Sequence, residues 1–110
     1  MNFSVVIPVR NRPEEIRRCL VGLRAMNAPV DDYEVIVVDN GSTDETARVA
    51  IESGARVLSE PEPNRCRARN LGAREARGEW IAFLDSDCVP DPDWLAVLGR
   101  AIEKLGSEGG

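Results

Sequence analysis

Two aspartates spaced as D-x-D, Asp85-Ser86-Asp87, follow directly on the apolar run WIAFL at residues 80–84. In an extended segment, residues i and i+2 project to one side, so both carboxylates can converge on one hard cation or divide between a cation and a ligand hydroxyl. Mg²⁺ and Mn²⁺ favour oxygen donors and keep waters, so two carboxylates and the oxygens of a diphosphate make a sufficient set. The same acidic residues could equally end a strand and solvate a loop. Asp39 stands at the matching end of a second apolar run, YEVIVV at residues 33–38. A carboxylate there can accept from a base N–H or from ribose hydroxyls, or it can close an Asx turn or cap the next helix. Arg65, Arg67 and Arg69 open a predicted helix, where cations oppose the dipole and a purely structural explanation is weak. Helical spacing lets Arg65 and Arg69 face one anion while Arg67 faces elsewhere. The competing reading is a solvated basic face paired with Glu60, Glu62 or Glu75.

Composition narrows the chemistry. The chain has 110 residues, 14 Lys and Arg against 19 Asp and Glu, a formal net charge of −5, and no His. Without His there is no imidazole base, no Ser-His-Asp or Cys-His site and no H-E-x-x-H zinc site, so carboxylates must carry any acid, base or metal chemistry. The acidic balance argues against a general nucleic-acid binder or an anionic-membrane binder, both of which need a basic excess. Cys19, Cys66 and Cys88 are odd in number and contain no C-x-x-C pair, a pattern that fits free thiols in a reducing compartment. Of the three, Cys88 beside the acidic pair is the one to test for metal sensitivity. No signal-peptide pattern opens the sequence and no apolar stretch reaches the ~18 residues of a transmembrane helix, so the expectation is a cytoplasmic protein with no transmembrane segment.

The elements that must position these residues follow from the pattern. Residues 4–9, SVVIPV, read as a buried strand with Pro8 near its end. Asn11 is the expected N-cap of a helix with Pro13, Glu14 and Glu15 in its first turn and Ile16, Cys19, Leu20 and Leu23 on its apolar face. After the strand at 33–38, Gly41 permits a tight turn and Ser42 or Thr43 is expected to cap a helix ending near Ser53, with Gly54 beyond it. A short strand at 55–58, the Arg-rich helix at 65–76, a strand at 80–84 and a final helix capped by Asp91 or Asp93 complete the alternation. Strict β-α alternation implies an α/β fold with a parallel sheet covered by helices on both faces. Ligands of such sheets bind beyond the carboxyl ends of the strands, where three polar clusters fall: Arg10-Asn11 after the first strand, Asp39-Asn40-Gly41-Ser42 after the second and Asp85-Ser86-Asp87 after the fourth.

Four blocks carry a resemblance: SVVIPVRN from Ser4, VIVVDNGSTD from Val35, ARNLG from Ala68 and GEWIAFLDSD from Gly78. In order and spacing they are similar to the N-terminal half of family 2 glycosyltransferases with the GT-A fold. The resemblance implies a Rossmann-like half of about four parallel strands in the order 3-2-1-4. It also implies a nucleotide-diphosphate sugar as donor, most often UDP-linked, with Mg²⁺ or Mn²⁺ bridging the D-x-D residues and the diphosphate. Transfer in this family proceeds with inversion to an acceptor hydroxyl deprotonated by a carboxylate. Carried over, Pro8, Val9 and Asn11 match the loop that lines the nucleoside site, and Asp39 matches the acidic residue that reads the base. Arg65 or Arg69 falls in the region that closes over the nucleotide. Asp85, with Ser86, lies towards the ribose and shares metal binding, and Asp87 is the principal metal ligand. Arg10 stands where many members carry an aromatic residue, and Arg65 where Gly is usual.

The expected organisation is one nucleotide-sugar-binding domain over residues 1–105, an incomplete GT-A unit, with a flexible tail at 106–110. In the family, the acceptor half and the general base lie C-terminal to the D-x-D segment, so the base is expected beyond residue 110 and the acceptor is not specified. The alternative is a non-catalytic α/β nucleotide-binding or self-associating module. An exposed sheet edge would then favour a homodimer or association with a missing half.

Overall fold

In the computed structural model, which describes residues 2–109, the uncharged run FSVVIPV forms β1 (Phe3–Val9) with every residue buried. Continuous apolarity, rather than alternation, is what a strand covered on both faces requires. The remaining elements follow as α1 (Pro13–Arg24), a 3-10 turn (Val30–Asp32), β2 (Tyr33–Asp39), α2 (Thr46–Glu52), β3 (Arg56–Ser59), α3 (Arg65–Glu75), β4 (Trp80–Phe83) and α4 (Trp94–Gly109). The sheet is parallel in the order β3-β2-β1-β4, the α/β arrangement expected from the alternation and from the resemblance. The final helix continues through the first four residues of the expected 106–110 tail, and Gly110 lies outside the described residues.

Two cores flank the sheet because successive β1 residues point to opposite faces. Val5, Ile7 and Val9 pack with Val37 against Ile16, Cys19, Leu20 and Leu23 of α1, Val49 and Ala50 of α2, and Leu95 of α4. On the other face Val6, Ile36 and Val38 meet Ala68 of α3, with Leu71 beside them. Gly72 allows that approach, since a Cβ there would collide with the Val6 side chain. Helices thus lie on both faces, as predicted.

Local capping departs from the sequence reading in two places. Asn11 does not cap α1; it takes a positive φ of 51°, and Arg12 holds the N-cap position without a side-chain bond. The short side chain of Asn11 tolerates the left-handed region, and the residue laces the first loop to the second, its backbone N–H donating to Ser42 Oγ (2.9 Å) and its side-chain Oδ1 accepting from Thr43 N–H (2.8 Å). Ser42 and Thr43 are therefore engaged across loops and do not cap α2. Glu45 holds the N-cap position without a side-chain cap bond, and Asp44, one residue earlier, accepts from Thr46 N–H at 3.0 Å. Asn64 caps α3, accepting from the N–H groups of Cys66 and Arg67.

Candidate functional site

Pro8 sits inside a central strand, where a missing N–H normally breaks a ladder. Val6 O accepts from Leu84 N–H (3.0 Å), and two-residue alternation turns the Pro8 nitrogen to that same side. The last β1–β4 pair is Val6 with Phe83, so β4 has already ended where Pro8 would need a partner. Chain register thereby leaves a step at the carboxyl rim between β1 and β4. An open cavity of about 540 Å³ at this rim is lined by Pro8, Val9, Arg65, Asp85, Ser86 and Asp87. Six of the predicted site residues converge there. Asn11, Asp39 and Arg69 are not among its lining residues.

The acidic pair converges for a reason other than strand alternation. β4 stops at Phe83, and residues 85–88 form a turn closed by Cys88 N–H donating to Asp85 O at 3.0 Å. This turn gathers Asp85, Asp87 and Cys88, all exposed, with one ligand atom from each lying within 4.8 Å of the others. Cys88 Sγ is 3.7 Å from Asp87 Oδ1. Desolvation, and then the Asp87 charge, raises the Cys88 thiol above its ordinary value. Below the turn, burial pushes the Cys19 thiol up to about 12, with smaller contributions from Cys88 and Asp87. All three cysteines are free.

Arg65 and Arg69 do not point together. Arg65 lines the cavity. Arg69 instead lies over the Phe83 ring at 5.8 Å and places Nη2 3.8 Å from Asp85 Oδ1. Arg67 follows the solvated reading, pairing with Glu60 (3.4 Å) and Glu62 (3.5 Å). Two buried side-chain atoms, Asp39 Oδ1 and Arg69 Nε, have no hydrogen-bond partner among the described residues. Both belong to residues that the sequence singled out.

Sequence reasoning missed Arg12 and Glu15, and gave Asn40 no role beyond its place in the rim cluster; all three also line the cavity. Arg12 and Glu15 lie 3.8 Å apart as an i, i+3 pair, and Arg12 N–H donates to Thr46 Oγ1 at 3.1 Å. Buried Asn40 donates through Nδ2 to Glu60 O (3.1 Å) and Glu62 O (2.7 Å), pinning the loop that leads to Arg65. The available signal was Pro61 and Pro63: a segment with two missing N–H groups needs donors from elsewhere for its carbonyls. Gly41 (φ +78°) permits the close approach, since a Cβ there would meet Pro61 O at 2.8 Å.

The model of the family described as glycosyl transferase family 2 matches residues 4–109. The chain belongs to glycosyltransferase family 2. Among curated family members, it is 38% identical to glycosyltransferase AglE of Haloferax volcanii, an alignment covering 94% of this chain and 38% of AglE. It is 33% identical to poly(ribitol-phosphate) beta-N-acetylglucosaminyltransferase TarS of Staphylococcus aureus, over 98% of this chain and 20% of TarS. The chain thus spans well under half the length of these relatives. The structure of S. aureus TarS 1–349 in complex with UDP-GlcNAc superposes with a TM-score of 0.87 at 28% identity, covering 96% of this chain and 32% of that one. Mannosyltransferase PcManGT from Pyrobaculum calidifontis, in complex with GDP-Man and Mn²⁺, gives 0.82 at 27% identity, over 94% of this chain and 32% of that one. Among the described residues, no helix of this family 2 chain is long and apolar enough to cross a membrane.

Proposed function

We propose that this chain is the donor-binding unit of an inverting glycosyltransferase, taking a nucleotide-diphosphate sugar, UDP-linked in the first instance, together with Mn²⁺ or Mg²⁺. The observation that carries the reading is the cavity at the carboxyl rim lined by Pro8, Val9, Arg65, Asp85, Ser86 and Asp87. Its volume, about 540 Å³, falls within the ~300–1,000 Å³ of small-molecule sites. The TarS complex with UDP-GlcNAc and the PcManGT complex with GDP-Man and Mn²⁺ support the donor class.

The donor set fits a hard divalent cation, because the exposed Asp85 and Asp87 carboxylates converge on one turn and leave room for waters and diphosphate oxygens. When bound, the cation supplies Lewis-acid stabilisation of the negative charge on the leaving diphosphate. Asp87 is its principal ligand, and Asp85 shares it while facing the ribose with Ser86. Arg65 offers the diphosphate a cation from the cavity wall. Pro8 and Val9 provide backbone and apolar surface to the nucleoside, and Asn11 fixes the loop that carries them. Asp39 Oδ1, buried and without a partner among the described residues, has the unspent acceptor that a base N–H would satisfy. Arg69 holds Asp85 from below. No base and no acceptor surface is assigned among these residues.

Binding of UDP and of GDP, each with Mn²⁺, is tested by thermal unfolding and calorimetry. One of the two raises the melting temperature at millimolar ligand, and Asp87→Ala removes the Mn²⁺-dependent part of the shift. No shift with either nucleotide would sink the donor-site reading. A second reading has its own observation: edge strand β4 leaves Trp80 and Phe83 about half exposed, at 49% and 47%. A second copy pairing along β4 would cover them, and sedimentation of a monomer at high concentration would exclude it.

A further inference from the structure

Residues 60–64 form a strap between β3 and α3, and its polar groups are committed to fastening it. Buried Asn40 donates through Nδ2 to Glu60 O (3.1 Å) and Glu62 O (2.7 Å), which uses the full donor capacity of an amide NH₂. Glu60 N–H returns a bond to Asp39 O at 2.9 Å. From the other side, Arg67 of α3 pairs with Glu60 (3.4 Å) and Glu62 (3.5 Å), and Glu60 Oε2 accepts from Glu62 N–H (3.3 Å). Pro61 and Pro63 fix two of the strap's φ angles, and Asn64 caps α3. Arg65 comes next. It lines the cavity and forms no ion pair among the described residues. An unpaired guanidinium thus stands on a fastened mount.

We propose that Asn40 is a positioning residue for donor binding, fastening the strap that presents Arg65 to the diphosphate and acting on the donor through Arg65. The proposal rests on the donor-site reading above. Asn40 lines the cavity itself, but with both amide hydrogens committed it keeps only Oδ1, an acceptor with nothing to offer a phosphate oxygen. Its influence therefore runs through the strap. Taking up an anion orders the Arg65 side chain at an entropic cost, and a mount that is already ordered adds nothing to that cost. Without Asn40, the carbonyls of Glu60 and Glu62 turn to water, and each donor that binds must order the strap as well as the side chain. The Arg67 pairs do not replace it. Arg67 is 55% exposed, and exposed pairs contribute little.

The test joins a double-mutant cycle to a readout that needs no ligand. Calorimetry with UDP, and in parallel GDP, each with Mn²⁺, compares wild type, Asn40→Ala, Arg65→Ala and the double variant. Hydrogen exchange at the Glu60 and Glu62 amides follows the strap in the ligand-free chain. Arg65→Ala weakens nucleotide binding by about tenfold, and Asn40→Ala weakens it by about threefold or more, yet the double variant binds no worse than Arg65→Ala alone. Strap exchange accelerates in Asn40→Ala and is unchanged in Arg65→Ala. Pro61→Gly loosens the strap without altering Asn40 or a cavity-lining side chain, and it moves both readouts in the same direction. That variant carries the test should circular dichroism show Asn40→Ala unfolded. Losses that add in the double variant, an Arg65→Ala without effect, or strap exchange indifferent to Asn40→Ala overturn the proposal. Accelerated exchange with nucleotide affinity untouched overturns it too, while leaving the donor-site reading intact. Wild type that binds neither nucleotide, with strap exchange still governed by Asn40, is the distinct signature of that reading's failure and takes the proposal with it.

Discussion

Strand β2 carries a carboxylate near each end, Glu34 and Asp39, and the two have opposite surroundings. Glu34 Oε2 accepts from Ser4 Oγ (2.5 Å) and from Arg77 N–H (2.7 Å), while Oε1 faces Arg56 Nη1 at 3.7 Å. Ser4 Oγ in turn accepts from Gly78 N–H at 2.8 Å, so one acidic residue ties β1, β2 and the approach to β4 together. Asp39, at the other end, keeps a buried oxygen with no partner among the described residues. Leaving such a group unpaired costs about 1–3 kcal/mol. The difference teaches how unevenly the sheet spends its acceptors: the amino end uses Glu34 on the chain itself, whereas the carboxyl rim leaves Asp39 Oδ1 unspent among the described residues, the feature on which its proposed role in donor binding rests.

The sharpest way to break this contrast is Glu34→Ala. It strips the acceptor from Arg77 N–H and from the Ser4 hydroxyl in a site whose carboxylate is only 11% exposed. Unfolding free energy measured in urea falls by about 2–3 kcal/mol, while the nucleotide affinity of the folded protein is unchanged. A loss under ~0.5 kcal/mol, the range of an ordinary surface substitution, would show that the amino end is not held by this network.

Asp39→Ala is the mirror experiment. It removes a desolvated acceptor that the fold does not use, so stability stays level or rises by up to about 1 kcal/mol, while UDP affinity drops by roughly tenfold or more, the value of one lost hydrogen bond to a charged group. Urea unfolding and calorimetry on the same samples separate the two effects. Destabilisation without loss of UDP binding would reverse the roles given to the two ends.

Legibility in the sequence followed the same divide. The strands were readable because β1 and the end of β2 are buried on both faces and so carry unbroken β-branched runs. From that pattern came the parallel sheet and the rim, and from the rim the convergence of Pro8, Val9, Arg65, Asp85, Ser86 and Asp87. What escaped was set by loop geometry, which periodicity does not encode. Asn11 reads as a cap by residue type, but at φ 51° it braces the second loop. Asp85 and Asp87 were paired by strand alternation, whereas a turn brings them together and adds Cys88. Arg65 and Arg69 share a helix face by spacing, yet the Phe83 ring and Asp85 draw Arg69 away. Glu34 was invisible as a network centre because its partners are one backbone N–H, the Arg56 guanidinium and a serine 30 residues distant, none of them close in sequence.

A finer test asks whether the receiving rim is loose or only selectively unpaired. Asp44 lies in the loop that follows Asp39, and its carboxylate accepts from both the hydroxyl and the backbone N–H of Thr46. These bonds, the hydroxyl's first, lower its pKa below the ordinary 3.8. A depressed pKa means the folded state favours the charged form. Its contribution to stability is therefore present above the unfolded value and is lost as pH falls through the folded one. On acidification below about pH 4, wild type loses the charged acceptor that holds Thr46 at the start of α2, whereas Asp44→Asn never has that charge to lose. Unfolding midpoints followed from pH 6 downward show a shallower acid decline in Asp44→Asn, and the two proteins converge at the lowest pH. Parallel declines would mean that the rim leaves its own backbone as unsupported as Asp39. A shallower one shows that the loop supports its own backbone at Thr46 and leaves Asp39 as the acceptor to be tested with nucleotide.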